Sequence, residues 1–286
     1  MIAKLLPAFL KRAINSHIRI IANGRSELYV RSLPGENAYS IKPSNSTAKL
    51  PLALRSRIPP KESWLGYGSD AQDYISNGER HVTGMIRALE ENGFSIGAAN
   101  RILEFGCGTG RMIRHLPEIA PSAELWGVDI SAEHIRWCIE NLTPAIHFAT
   151  TTVVPHLPFE DRYFDLIFCG SVFTHIEDIQ ESWLLELGRV LRPSGKLYIT
   201  IHDERTVRLL DTHDRDHWLA KAMQEQPTYR NNKNDFNMIV IGRGASSQVF
   251  YNSRYFQSIT PPIFRWISLT PEAYGYQSAV ILEKLS

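Results

Sequence analysis

Leu103-Glu104-Phe105-Gly106-Cys107-Gly108-Thr109-Gly110-Arg111 decides the reading of this chain: a short apolar run stops in three glycines that alternate with small residues. Glycine tolerates positive φ and carries no Cβ, so such a stretch turns sharply from a strand into a helix and leaves bare backbone against a ligand. The spacing Gly-x-Gly-x-Gly differs from the dinucleotide fingerprint, which needs glycine where Arg111 stands. A pyrophosphate-binding oxidoreductase is therefore disfavoured. Glu104 stands ahead of the turn, where a carboxylate meets a cationic amine or the backbone of the turn. Asp129 follows Gly110 by 19 residues and ends the next apolar run, where a carboxylate can accept both hydroxyl protons of a ribose.

The surrounding pattern alternates strands and helices. A helix is expected from near Asp70 to Asn92, with Gly93 as its stop, then a strand Arg101 to Phe105 and, after the glycines, a helix through Arg114. A strand Glu124 to Ile130, a helix capped by Ser131 and running to Asn141, and a short strand Ile146 to Ala149 follow. Next come a strand Phe164 to Gly170, a helix Asp178 to Leu191, a turn at Arg192-Pro193-Ser194-Gly195 and a strand Lys196 to His202. Strands separated by helices of about ten residues give right-handed βαβ units, hence an α/β, doubly wound, mostly parallel sheet. Such sheets bind ligands at the carboxyl ends of their strands, near the reversal of strand order.

The ends of the chain are different. Ile2, Leu5, Leu6, Phe9, Leu10, Ala13, Ile14, Ile18 and Ile21 recur at helical spacing with Lys4, Lys11, Arg12 and Arg19 between them, which predicts a basic amphipathic helix that packs on the main domain or a partner subunit or rests peripherally on an anionic membrane. Its apolar run is too short for a signal-peptide core or a span. From about Arg31 to Pro60 the chain is polar and rich in Pro, Ser and Asn, as in a linker. The expected organisation is residues 1–60 as helix and linker and 61–286 as one domain, with an insertion at about 203–247. That insertion reads as a solvated lid.

Composition excludes several classes. Thirty-one basic and 30 acidic residues leave a net charge of +1, unlike a dedicated nucleic-acid binder. Cys107, Cys138 and Cys169 are odd in number and far apart, which suits reduced thiols in a cytoplasmic protein. Cys107 and Cys169 read as compact buried residues. Asp165 reads as ordering the start of its strand. His202, Asp203 and Glu204, followed by Asp211, His213, Asp214, Asp216 and His217, are ligand types, yet their spacing matches no standard metal site. No metal is expected.

Several stretches together resemble class I S-adenosylmethionine-dependent methyltransferases. LEFGCGTGR is similar to their first motif, LWGVDIS to the second, LPFEDRYFDLIFCGSVFTHI to the segment through the fourth strand, and LGRVLRPSGKLYITIHD to the helix, turn and fifth strand. AYGYQSAVILEKL resembles a closing antiparallel strand, so the resemblance implies a seven-stranded, Rossmann-like sheet whose last strand is antiparallel, behind an N-terminal helical extension. It implies S-adenosylmethionine as cofactor, with Glu104 and the backbone of Gly106, Cys107, Gly108 and Gly110 at its methionine part. Asp129 would take the ribose and Ile130 would lie against adenine. Many relatives carry an acidic residue after the third strand for the adenine amino group; here stand Ala149, Thr150, Thr151, Thr152, Val153 and Val154, so threonine or backbone groups, with Val154 beside them, take that place. Gly170 and Ser171 would face the reactive methyl.

The implied chemistry is a direct displacement in which positioning supplies most of the acceleration. His175 and His202 are the general-base candidates. The Asp/Asn-Pro-Pro-aromatic motif of amino-directed nucleic-acid methyltransferases is replaced by Gly170-Ser171-Val172-Phe173, and the Pro-Cys of a cytosine-C5 enzyme is missing. The expected acceptor is a small molecule, a glycan or a lipid precursor. Trp64, Tyr67 and Tyr74 either line the pocket or pack. A cofactor-binding scaffold without turnover is the alternative.

Overall fold

β4 (Phe164–Cys169) is buried along its whole length, and β1 (Arg101–Phe105) is buried at every residue after the first, the signature of strands covered on both faces. Both lie at the centre of a seven-stranded sheet. Around them run β2 (Glu124–Asp129), β3 (His147–Thr150), β5 (Leu191–Ile201), β8 (Phe264–Tyr274) and β9 (Gln277–Lys284), in the order β3-β2-β1-β4-β5-β9-β8. The first five strands pair in parallel, while β9 runs antiparallel to both β5 and β8. The order reverses between β1 and β4. The computed structural model describes residues 57–142, 144–243 and 247–286; the expected basic helix and the linker up to residue 56 lie outside the described residues.

Alternate residues of each strand point to opposite faces, and the core divides accordingly. Ile102, Leu125, Leu166, Phe168 and Tyr198 pack with Val82, Met85 and Leu89 of α1 (Ala71–Glu91). Leu103, Trp126, Ile167, Cys169 and Ile199 pack on the other face with Trp183, Leu184 and Leu187 of α4 (Gln180–Val190). α1 begins where the Asp70 carboxylate accepts from the Asp73 amide, and ends before Gly93 at φ +77°. Between the two halves, Ser131 precedes α3 (Ala132–Leu142) as expected.

Two local expectations fail for identifiable reasons. The helix expected directly after the glycines is replaced by a 3-10 turn, Ile113–His115, and the short α2 (Leu116–Ile119). Pro117 has no N–H to give the Ile113 carbonyl, and the Arg114 guanidinium takes the Thr109 and Gly110 carbonyls, both at 2.8 Å. The turn at Arg192 to Gly195 does not precede β5 but lies within it. Phe164 pairs with Leu191 and Leu166 with Lys196, so the extra residues bulge out, with Ser194 at φ +63°.

After β5 come α5 (Glu204–Thr212), α6 (Trp218–Glu225), α7 (Pro227–Asn232) and a hairpin of β6 (Met238–Ile241) and β7 (Gln248–Tyr251). Val207, Leu210, Leu219, Met223, Tyr229, Ile239 and Phe250 give this segment its own apolar cluster. α8 (Ser253–Ile259) returns the chain to the sheet. Among the described residues no helix is long and apolar enough to cross a membrane.

Asp165 orders the end of the sheet opposite the binding end, at the starts of β1 and β4. One carboxylate oxygen accepts from the Asn100 and Arg101 amides at 2.6 and 2.7 Å, and the other pairs with Arg192 at 2.5 Å. Removing a buried charged acceptor strands its donors. Asp165→Ala is expected to lower unfolding stability by about 3 kcal/mol in urea titration, whereas breaking the exposed Arg136–Glu140 pair should leave the midpoint nearly unchanged.

Candidate active site

The three glycines adopt left-handed backbone, with φ +77° at Gly106, +52° at Gly108 and +68° at Gly110. The amides of Gly106 and Cys107 both donate to the Val128 carbonyl, at 2.8 and 3.0 Å, which fastens the turn to β2. A Cβ on Gly106 would collide with Val172, and one on Gly110 with Leu142. At Gly108 the nearest atom would be Leu65 Cδ1 at 3.8 Å. Packing therefore requires the outer two glycines, and the open backbone is at Gly108.

Asp129 ends β2 beside that opening. Its two carboxylate oxygens accept from the Gly108 and Ser131 amides, each at 2.8 Å, so one side chain ties the turn to the start of α3. Burial raises its pKa while those two amides oppose the rise. A carboxylate offers about four lone-pair positions, so each oxygen keeps one for a ligand hydroxyl. Ile130 follows, half-buried. At the end of β3 the Thr151 amide donates to the Asp129 carbonyl at 2.9 Å, but the buried Thr151 hydroxyl has no partner. Val154 is exposed, its amide bound to the Thr152 hydroxyl at 3.0 Å.

Residues 103–199 match a family model described as a methyltransferase domain. The chain is 28% identical over 164 residues to a malonyl-[acyl-carrier protein] O-methyltransferase of Hahella chejuensis, covering 56% of this chain and 57% of that one. It is 32% identical over 114 residues to a ubiquinone/menaquinone biosynthesis C-methyltransferase of Bordetella avium, covering 37% and 44%. A solved protein of Pyrococcus horikoshii shares the fold at a TM-score of 0.56 and 20% identity, over 79% of this chain and all of that one. These similarities support a class I S-adenosylmethionine-dependent methyltransferase family for this domain. The chain spans about half the length of the curated relatives it matches.

In this methyltransferase domain the Glu104 carboxyl lies buried under the turn and accepts from the Ile113 amide at 3.0 Å. Burial pushes its pKa up to about 8, against the opposing effects of Arg111 and that amide. Burial also raises the Cys107 and Cys169 thiols, which rules out resting thiolates and leaves both as packing residues.

Beyond β4, Ser171 is held at φ +59° by a polar network. Its amide donates to the Thr200 hydroxyl at 2.7 Å, its hydroxyl receives Gln277 Nε2 at 2.8 Å, and Thr200 donates to Gln277 Oε1 at 2.7 Å. A Cβ on Gly170 would stand 2.8 Å from the Tyr274 hydroxyl, so the end of β4 is pressed against β8. Trp64 stacks on Tyr74 at 5.4 Å and donates to the Pro59 carbonyl, while Tyr74 bonds the Thr109 hydroxyl at 2.7 Å; both aromatics pack.

The two histidine candidates differ. His175 Nδ1 donates to the Ser247 carbonyl at 2.7 Å, which leaves Nε2 as the acceptor, and the residue keeps exposed surface. His202 is fully buried between Phe250 and Tyr276, and burial lowers its pKa to about 3, with smaller contributions from His175 and His217 and against the opposing effect of the Val249 backbone. Other ligand-type residues have separate tasks: Asp203 caps α5, and His217 caps α6.

Arg111, noted in the sequence only for displacing a glycine, Tyr274, quoted there only within the closing-strand resemblance, and His81 and Asn77, which carried no motif, converge on the turn. No local spacing signals them, because Tyr274 lies 163 residues from Arg111.

The Glu104 shift has a sign. Its folded pKa of about 8 exceeds the ordinary 4.5, so the folded state retains a proton that the unfolded state releases, and stability falls as pH rises from about 4.5 to 8. Glu104→Gln should flatten calorimetric Tm against pH in that window, removing a slope of up to about 1.4 kcal/mol per pH unit. Parallel curves for variant and wild type would contradict it.

Proposed function

We propose that the chain is an S-adenosylmethionine-dependent methyltransferase acting on a small molecule, or on a glycan or lipid precursor. The observation that carries the reading is the Asp129 carboxylate held beside the open backbone of Gly108 with lone pairs to spare. The residues fit the cofactor. Glu104 and the turn of Gly106, Cys107, Gly108 and Gly110 would hold its methionine part, and Asp129 would hold the ribose. Ile130, Val154 and the unpartnered Thr151 hydroxyl would meet the adenine, with Gly170 and Ser171 next to the sulfur end. Bound there, the cofactor supplies an electrophilic methyl group on sulfur.

The chain's own residues then position and deprotonate. Ser171, fixed by Thr200 and Gln277, would shape the floor of the acceptor space, with residues 203–243 as its roof. His175 suits a general base, since its Nδ1 bond to the Ser247 carbonyl fixes the tautomer that leaves a lone pair on Nε2. His202 stays neutral across the physiological range and is a weak proton acceptor, so it acts as a wall of the site. Near-neutral charge and the Gly170-Ser171-Val172-Phe173 sequence after β4 support an acceptor other than nucleic acid. The similarity to enzymes named for malonyl-acyl carrier and quinone methylation supports a metabolite acceptor.

Calorimetry with S-adenosylmethionine is expected to show one site that Asp129→Ala weakens at least about tenfold. No binding by the wild type would overturn the proposal. Incubation with methyl-labelled cofactor and fractionated extract should label a small acceptor, and His175→Ala should slow that labelling about 100-fold with unchanged cofactor affinity.

A further inference from the structure

Arg111 is a buried cation without an anion. It is 7% exposed, and no carboxylate among the described residues lies within ion-pair distance of it. Its partners are all neutral. Both N–H groups of Nη1 are used, by Asn77 Oδ1 at 3.0 Å and His81 Nδ1 at 2.9 Å, and one on Nη2 donates to the Tyr274 hydroxyl. The Tyr67 ring lies 3.9 Å from the guanidinium carbon.

Each partner is held uncharged. Burial and the Arg111 charge lower the pKa of His81 to about 3, and burial keeps the Tyr274 phenol protonated. Glu104, whose carboxyl feels Arg111 electrostatically, is held mainly protonated at neutral pH. The cluster therefore carries one net positive charge out of water, an arrangement that is costly unless an anion completes it. Two of the five guanidinium N–H groups, on Nε and Nη2, have no acceptor among the described residues. That is a fork suited to a carboxylate.

The place of the fork selects the carboxylate. Arg111 directly follows Gly110, and Gly78 of α1 presses so close to the Arg111 carbonyl that no Cβ fits between them. The Tyr274 hydroxyl that receives Nη2 lies over Gly170 at the end of β4. The charge thus sits where the glycine turn, α1 and β4 meet, on the side of the turn occupied by Glu104. If the ribose is at Asp129, as the proposed function holds, the amino-acid end of the cofactor extends toward this corner. That end is a zwitterion, and Glu104 alone answers only its ammonium group.

Resting on that reading, we infer that the Arg111 guanidinium, oriented by Asn77, His81 and Tyr274, is the receptor for the α-carboxylate of the bound cofactor. A carboxylate on the acceptor would share this chemistry, and the test separates the two. Calorimetry is run with S-adenosylhomocysteine and with its decarboxylated analogue, which keeps the amine, sulfur, ribose and adenine. Wild type should bind the first at least about 30-fold more tightly, and Arg111→Gln should erase that preference while changing affinity for the analogue less than about threefold. Tyr274→Phe should narrow the preference without abolishing it.

Equal wild-type affinities overturn the inference, and so does unchanged S-adenosylhomocysteine affinity in Arg111→Gln, the result expected if the acceptor owns the carboxylate. Equal losses for both ligands also overturn it. Should Arg111→Gln fail to fold by circular dichroism, the wild-type preference and Arg111→Lys, which keeps the charge but not the fork, decide the matter. Binding of neither ligand by wild type would instead defeat the proposed function.

Discussion

The Asp129 carboxylate, shared between the amides of Gly108 and Ser131, is the constraint on which the active end of the sheet depends. Three left-handed glycines at alternate positions have little conformational preference of their own and lose much entropy when fixed. The Asp129 bonds and the two amides on the Val128 carbonyl supply that fixation from β2, the neighbouring strand. The turn is therefore built by two strands, and its shape follows the register of β1 against β2. A change in that register would remove the amide that Asp129 holds and the opening beside Gly108 together.

From that point the strand order does the rest. The sheet reverses between β1 and β4, so the loops after these strands diverge toward opposite faces and leave a crevice between them. One wall is the glycine turn. The other is Gly170 and Ser171, and both walls are braced by β8 and β9, which lie beyond β5 at the edge: Tyr274 reaches Arg111 on the first and Gly170 on the second, and Gln277 reaches Ser171. The antiparallel closing strands are thus more than a cover for the sheet edge, since they carry polar atoms back across β5 into the crevice.

What was legible in the sequence was local. The glycine turn, Asp129 at its strand end and the Gly93 stop of α1 are each dictated by backbone chemistry within a few residues, and each stands where the pattern put it. The helix after the glycines was misread because two local facts compete with periodicity: Pro117 withholds a donor and Arg114 claims two carbonyls. The bulge at Arg192 to Gly195 was misread because pairing with Phe164 continues beneath it. Arg111 was seen only as a departure from a fingerprint. Its partners come from α1 and β8, and only the closed sheet shows that they leave its charge unbalanced.

That imbalance explains why the corner holds its shape with so few charges. Asn77, His81 and Tyr274 give the guanidinium hydrogen bonds without giving it a counter-ion, and the Tyr67 face adds attraction at low cost in water. A resident carboxylate in their place would neutralise Arg111 outright and would compete with any incoming one. Glu104, whose carboxyl feels the Arg111 charge, is kept from that role because it accepts from the Ile113 amide and burial disfavours its ionisation. The fold thus stabilises the cation enough to keep it inside and leaves its electrostatic attraction available to a ligand.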